Sequence, residues 1–336
     1  VYVQGERRPT TSNVRRAQIR HVVGQFDVDF VGDWREGSPL YRTSSRVRSA
    51  LRRAAESTMT ADHAALFTGL VIGDDAREPP EMINAFRSSG LSHLTAVSGQ
   101  NVVFILAAAS PLLRRLRPWW RWGATLGLIG WFMALTRFEP SVLRAGVMAM
   151  LASSSFLLGR PQSVVRLLAW AIAILVLVDP MLVWSVGFWL STGATAGVCV
   201  VAPPLAERLS GPAWFRVPLA VTLGAQLGVL LPSWLVFHRL PLVSVPANLL
   251  AVPVAGLVML IGIPGGLASA IVPPLAPLLM APCTAGTRWV ATVAYLAAAI
   301  EPSPGWAALG WLGVAIAVCA LVIRHRWRRL SSDVPI

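Results

Sequence analysis

The chain has 336 residues, a mean hydropathy of +0.60, 55% hydrophobic residues and only 13% charged ones. A soluble domain carries about 25% charged residues, so the composition excludes that class and points to a polytopic membrane protein. Charge is uneven: residues 1–93 hold 13 Arg against 11 acids, whereas residues 94–336 hold 16 Arg against five acids (Glu139, Asp179, Glu207, Glu301 and Asp333) and no Lys, so the second part carries +11 of the formal +13. Loop arginines on the cytoplasmic side account for that excess, or else a path that receives a polyanion.

Residues 1–42 are polar, with β-like patches at Val1–Gly5 and Ala17–Val23, too few to close a barrel. The start in mid-strand reads as a piece of a longer reading frame. Residues 43–72 read as one helix, capped by Ser44 or Ser45. Val47, Leu51, Ala54, Ala55 and Met59 form its apolar stripe, with Arg46, Arg48, Arg52 and Arg53 around the rest. Such a helix lies on a membrane surface or packs on a soluble domain. Gly73-Asp74-Asp75 ends it, and Pro79-Pro80-Glu81 opens a short helix that stops before Gly90. Asp74, Asp75, Glu78 and Glu81 read as turn and helix-start chemistry rather than a metal site.

Apolar windows follow at 94–113, 119–136, 141–158, 164–178, 182–202, 217–237, 241–262, 264–281, 287–300 and 305–323. Several are short or interrupted by Pro and Gly, so eight to ten transmembrane helices are expected, in a transmembrane domain over residues 94–323 after amphipathic and surface helices at 43–93. Arg114, Arg115, Arg117 and Arg121 mark a cytoplasmic loop. Counting on, Arg160 and Arg166, then Arg208 and Arg216, fall on the same side, with the N-terminal region outside the cell. Ten spans would leave the basic tail 324–336, with Arg324, Arg326, Arg328 and Arg329, on the wrong side. Trp119, Trp120, Trp122, Trp184, Trp189, Trp306 and Trp311 cluster near span ends, as interface belts do. Cys199, Cys283 and Cys319 lie in apolar segments with no CxxC or Cys/His metal spacing; no disulfide, metal or cofactor is expected.

The most informative segment is Gly90-Leu-Ser-His93-Leu-Thr-Ala-Val-Ser98-Gly99-Gln100-Asn101, which runs directly into an apolar stretch. Hydrocarbon leaves no backbone group unpaired, so polar, glycine-broken chain at that depth faces protein or water. Three further segments interrupt apolar helices. In Arg137-Phe-Glu139-Pro140-Ser-Val-Leu-Arg144, Pro140 suits a first helical position and Arg144 lies about 6 Å inside. An arginine at that depth is functional or snorkels to the interface. In Gly187–Gly197, Gly193 and Gly197 form a GxxxG packing face, with Ser191 and Thr192 as possible lining. In Val243–Pro253, two prolines flank Asn248, either as a broken helix of the kind found at transport sites or as a simple kink. Ala96-Val-Ser98-Gly99 also has the look of a membrane-embedded serine hydrolase motif, with His93 or His238 as base, but no oxyanion-hole pattern, HExxH or carboxylate pair accompanies it. An enzyme is not expected.

At these segments the chain resembles the ComEC competence-protein family, the membrane channel of bacterial DNA uptake. Leu70–Asp74, Ala85–Gly99, Ser141–Ala145, Asp179-Pro180 with Gly187–Ser191, and Val245–Pro253 carry the resemblance from about residue 60 to 323. The family often has Leu-His after the Ser-Gly pair, where this chain has Gln100-Asn101, so no role of that histidine carries over. The resemblance implies that residues 1–42 are the end of an oligonucleotide-binding-like β domain. No HxHxDH motif of the family's metallo-β-lactamase-like domain is present. It implies a multi-pass protein of the bacterial plasma membrane, with single-stranded DNA and lipid as partners. A separate DNA receptor and an ATP-driven motor are expected, since no Walker A motif is present. The residues expected along the path are Arg87, His93, Ser98, Gly99, Gln100, Asn101, Arg137, Glu139, Arg144, Arg160, Ser191 and Asn248. A transporter of small anions or other solutes with the same fold is the first alternative; oligomeric state is left open.

Overall fold

The computed structural model describes residues 3–8, 25–31, 39–95, 98–237 and 240–332. Two antiparallel strands, β1 (Val3–Arg8) and β2 (Gln25–Val31), pair with Val3 opposite Val31 and a bulge between Gln4 and Gly5. The rest is helical: α1 (Pro39–Glu56), α2 (Ala61–Ile72), α3 (Pro80–Ser88), α4 (Ser92–Thr95), α5 (Gly99–Leu113), α6 (Pro118–Leu135), α7 (Pro140–Leu157), α8 (Val164–Val178), α9 (Val186–Val200), a short α10 (Ala202–Arg208), α11 (Ala213–Phe237), α12 (Ser244–Ile271), α13 (Ala276–Ile300) and α14 (Pro304–Ser332).

The single helix expected over 43–72 is two. The hydroxyls of Ser57 and Thr58 donate back to the carbonyl of Ala54 at 3.0 and 2.8 Å, and Thr60 is extended. Local side-chain bonds of this kind compete with helix propagation. Nor does the arginine-flanked stripe of α1 lie on lipid or on a separate soluble domain. Leu51 is fully buried, and its Cδ2 fills the space where a side chain at Gly266 of α12 would stand. From Ala64 to Ile72 every residue of α2 is buried. Phe67 and Val71 of that helix close on Gly262 of α12. The main apolar core therefore joins α1, α2 and α3 to α6, α12 and α13.

Windows 241–262 and 264–281 correspond instead to one 28-residue helix, α12, and the start of α13. The chain stays helical through Pro253 and Pro264. A proline removes an intrahelical donor; near Pro253, Trp289 Nε1 on α13 donates to the carbonyl of Leu250 at 3.0 Å and ties that turn to the neighbouring helix. Nine helices of 15 residues or more thus follow residue 98 among the described residues. Of these, α7, α11 and α12 are long and apolar enough to cross a bilayer alone. The α9–α10 pair, bent by 42°, makes a fourth, and α2, α5, α8 and residues 305–318 are shorter apolar helices. Apart from the β1–β2 pair, the protein is an all-α, multi-pass membrane protein.

Helices α9 and α11 cross in direct backbone contact. A Cβ on Gly197 would collide with the carbonyl of Gly224, and one on Gly193 with the carbonyl of Gly228; the reverse substitutions meet the same backbone. The GxxxG face on α9 meets a second one on α11, so the two backbones touch without side chains between them. Trp119, Trp120, Trp184, Trp189 and Trp306 are exposed, as belt residues are, whereas Trp311 is buried and donates to the carbonyl of Pro241 at 3.3 Å.

Gly197→Leu should lower the unfolding midpoint in detergent, with a loss of about 1–3 kcal/mol from overpacking. Gly127→Ala, whose added methyl meets nothing within 4 Å, should not lower the midpoint; equal midpoints for both variants would rule out the backbone contact.

Candidate functional site

The polar segment 90–101 becomes two features separated by residues 96 and 97, which lie outside the described residues. The first is the turn at Gly90, whose φ of +74° only glycine adopts freely. A Cβ there would also stand 2.5 Å from Cβ of Ser244, at the start of α12. His93 on α4 is exposed, with Nδ1 3.3 Å from the carbonyl of Gly90. Asn248 is buried and donates to the carbonyl of Ser244, one turn back in its own helix, at 2.7 Å. The entry to α12 is capped from a distance: both oxygens of Glu301, at the end of α13, accept the backbone N–H groups of Leu242 and Val243 at 3.0 Å.

The second feature is the start of α5, where three helices meet. Asn101 is 3% exposed, and its Nδ2 donates to the carbonyl of Leu70 at 3.0 Å. That carbonyl is free for a local reason. Gly73, left-handed at φ +66°, closes its N–H on Gly69, and the N–H of Asp74 folds back to Thr68 instead of Leu70. Ser98 Oγ donates to Asn101 Oδ1 at 3.4 Å. Gly99 lets α5 approach α7: a Cβ there would lie 2.6 Å from Cβ of Ala145 and 3.3 Å from Nη2 of Arg144. Arg144, only 6% exposed, extends from α7 to α9, where Nε donates to Ser191 Oγ at 2.9 Å, while Nη1 contacts the sulfur of Met148 at 3.4 Å. Both partners are neutral, and no carboxylate among the described residues forms an ion pair with it. Beside Asn101, a cavity of about 40 Å³ is lined by Val71, Ile105, Phe132, Met259 and Ile263, room for a water or two.

The fold therefore brings Ser98, Gly99, Asn101, Arg144 and Ser191 together and places Asn248 and His93 around Gly90. Gln100 is exposed, as are Arg87 on α3 and Arg160 after α7. Arg137 is also exposed and, with Phe138, sits in the left-handed region (φ +57° and +56°) in the sharp α6–α7 turn; Glu139 is half-buried at the start of α7. For the hydrolase alternative, Ser98 and His93 each have the other partners just named, and His238 lies outside the described residues.

Three groups matter that sequence reading did not place here. Asp74 pairs with Arg52 at 2.5 Å and with Arg48 at 3.7 Å. Arg48 also donates to the carbonyl of Leu135 at 2.7 Å, capping the end of α6 beside Arg137. Glu78 in the α2–α3 loop is 7% exposed, with its Oε1 against Gly69 and without a hydrogen-bond partner. Burial, with Asp75 nearby, pushes its pKa up to about 7. The Gly69–Glu78 spacing carried no helical or strand period that would have announced the contact.

A family profile described as "Competence protein" matches residues 70–328. "Uncharacterized protein YcaI" of Escherichia coli K12 is 31% identical over 235 residues, covering 64% of this chain and 30% of that protein. "ComE operon protein 3" of Bacillus subtilis is 25% identical over 237 residues (70% and 30%), and "Competence protein ComA" of Neisseria gonorrhoeae 30% over 230 (62% and 31%). The matched part thus spans about three tenths of each relative's length. No solved structure matches. These helices and the site they enclose define a polytopic bundle with polar breaks at its centre. The chain belongs to the competence-protein family, the family its motifs resemble.

Asn101→Leu strands the Leu70 carbonyl in a buried site, and unfolding in detergent should show a loss of about 1–3 kcal/mol. The raised Glu78 carboxyl sets a pH dependence. The folded state holds its proton up to about pH 7, whereas the carboxyl's ordinary value is 4.5. Between those values the folded chain binds more protons than the unfolded one, so stability falls as pH rises through that window and levels off above it. In Glu78→Gln that slope should vanish, read as the difference in unfolding midpoint between wild type and variant from pH 4.5 to 8.

Proposed function

We propose that this chain is the membrane-embedded part of a conduit that passes single-stranded DNA inward across the bacterial plasma membrane during natural transformation. The observation that carries the reading is Arg144: a buried guanidinium with neutral partners, where α5, α7 and α9 meet. A cation kept from water without a counter-charge is costly, and a passing phosphate would supply that counter-charge. Ser98, Gly99, Asn101 and Ser191 then offer neutral polar contacts, weak enough for a strand to leave again. Membership of the competence family and the names of two relatives support the same reading. Of the remaining expected path residues, Arg87, His93, Gln100, Arg137, Glu139 and Arg160 serve in this reading as approach or exit surface, and the buried Asn248 supports the start of α12.

With α5, α6, α7, α8, α9, α11, α12, α13 and α14 each crossing once, the N-terminal region is extracytoplasmic and the arginine-rich end of α14 is cytoplasmic. That is the side assigned to Arg114, Arg115, Arg117 and Arg121, so an odd number of crossings removes the conflict that ten spans created. A receptor for incoming DNA and a motor are separate proteins in this reading.

The cavity of about 40 Å³ beside Asn101 is far below the about 300 Å³ of a small ligand pocket, so in this reading a strand passes there only when the helices around α5 part. The same occlusion favours, as a second reading, transport of small anions past Arg144. Transformation separates the two. In a transformable host carrying the full-length protein, Arg144→Ala and Gln100→Leu are compared at matched membrane abundance. Arg144→Ala should lower transformation by about tenfold or more, the effect of about 1.4 kcal/mol on a limiting step. Wild-type transformation in both variants overturns this choice of site. Phosphate or chloride flux in proteoliposomes without oligonucleotide entry favours the small-anion reading.

A further inference from the structure

Away from the central site, the α10–α11 corner holds an unexplained set of donors. Nε and Nη1 of Arg208 and Nε of Arg216 are shielded from solvent and have no hydrogen-bond partner. Arg216 Nη1 donates to the carbonyl of Ala206 at 3.1 Å, so the Arg216 side chain reaches across to α10, the helix that carries Arg208. Buried N–H groups are paired in nearly all native structures, and an orphaned set signals an ion or water in the site. Two guanidiniums with free N–H groups match the tetrahedral oxygens of a phosphate. Glu207, the one carboxylate on this segment, is exposed.

The surroundings indicate where that phosphate comes from. Trp214 and Phe215 precede Arg216, are 78% and 43% exposed, and meet edge to face with centroids 6.1 Å apart. An exposed aromatic pair at the start of an apolar helix sits at headgroup level. Leu205 and Ala220 beneath belong to a small apolar cluster separate from the main core, so the corner is peripheral to the Arg144 site. Basic pockets between helices on the cytoplasmic side take anionic headgroups. We propose that the α10–α11 corner binds the phosphate headgroup of an anionic phospholipid through the free N–H groups of Arg208 and Arg216.

The test is the unfolding midpoint of the purified full-length protein in neutral detergent. It is measured against added phosphatidylglycerol or cardiolipin, phosphatidylcholine, inorganic phosphate and a single-stranded oligonucleotide. The anionic lipids should raise the wild-type midpoint by about 2 °C or more in a concentration-dependent way. Arg208→Gln and Arg216→Gln, singly and together, should lose that rise, while Arg121→Gln, the same charge change at an exposed position in the first turn of α6, keeps it. The single variants serve if the double variant does not fold. An equal rise with phosphatidylcholine or inorganic phosphate, a rise with oligonucleotide alone, or a full rise in the Arg208 and Arg216 variants overturns the lipid site. None of these outcomes bears on Arg144 and the DNA-passage reading.

Discussion

A helix that ends inside a membrane protein leaves carbonyls that water cannot reach, and the architecture around the start of α5 is an answer to one of them. Because Gly73 turns left-handed and Asp74 bonds back to Thr68, the carbonyl of Leu70 has no backbone donor. Asn101 supplies one from 31 residues away. That bond fixes where α5 begins, which in turn sets Gly99 against α7 and Arg144 beside it. Had α2 ended with an ordinary helical turn, Asp74 would have taken the Leu70 carbonyl and the polar start of α5 would have had no reason to be buried there.

Proline, glycine and charge act in this fold mainly as ways of relocating hydrogen bonds. The carboxylate of Glu301 caps the first turn of α12, the indole of Trp289 bonds the carbonyl of Leu250, and the guanidinium of Arg48 closes the end of α6. Each is a long-range side chain doing what water does in a soluble protein. Through the Arg48 bond, α1, rich in arginine, is tied into the core assembly rather than laid on top of it.

Much of this was legible in the residues themselves. Helix starts at Pro118, Pro140 and Val164 fall within a residue of the apolar windows, because proline and serine at those positions have strong local preferences. The gathering of Ser98, Gly99, Arg144 and Ser191 involves segments that the motifs had already singled out. What the chain did not announce was pairing across distance. Asn101 with Leu70, Arg48 with Leu135 and Glu78 against Gly69 have no periodic signature, since they are set by how helices cross. The merged helix at 244–271 escaped for a different reason: prolines mark local breaks, and the packing of α12 against α1, α2 and α13 lies beyond any local window.

The glycine-to-glycine contact of α9 with α11 also has a mechanical meaning. Two helices in backbone contact have no side chains to rearrange and no room to slide, so they behave as a stiff spar. Ser191 rides on that spar, so the far end of the Arg144 bond is anchored. In the proposed conduit, any widening beside Arg144 would then fall to α5, which meets α7 at Gly99 and α2 through the Asn101–Leu70 bond.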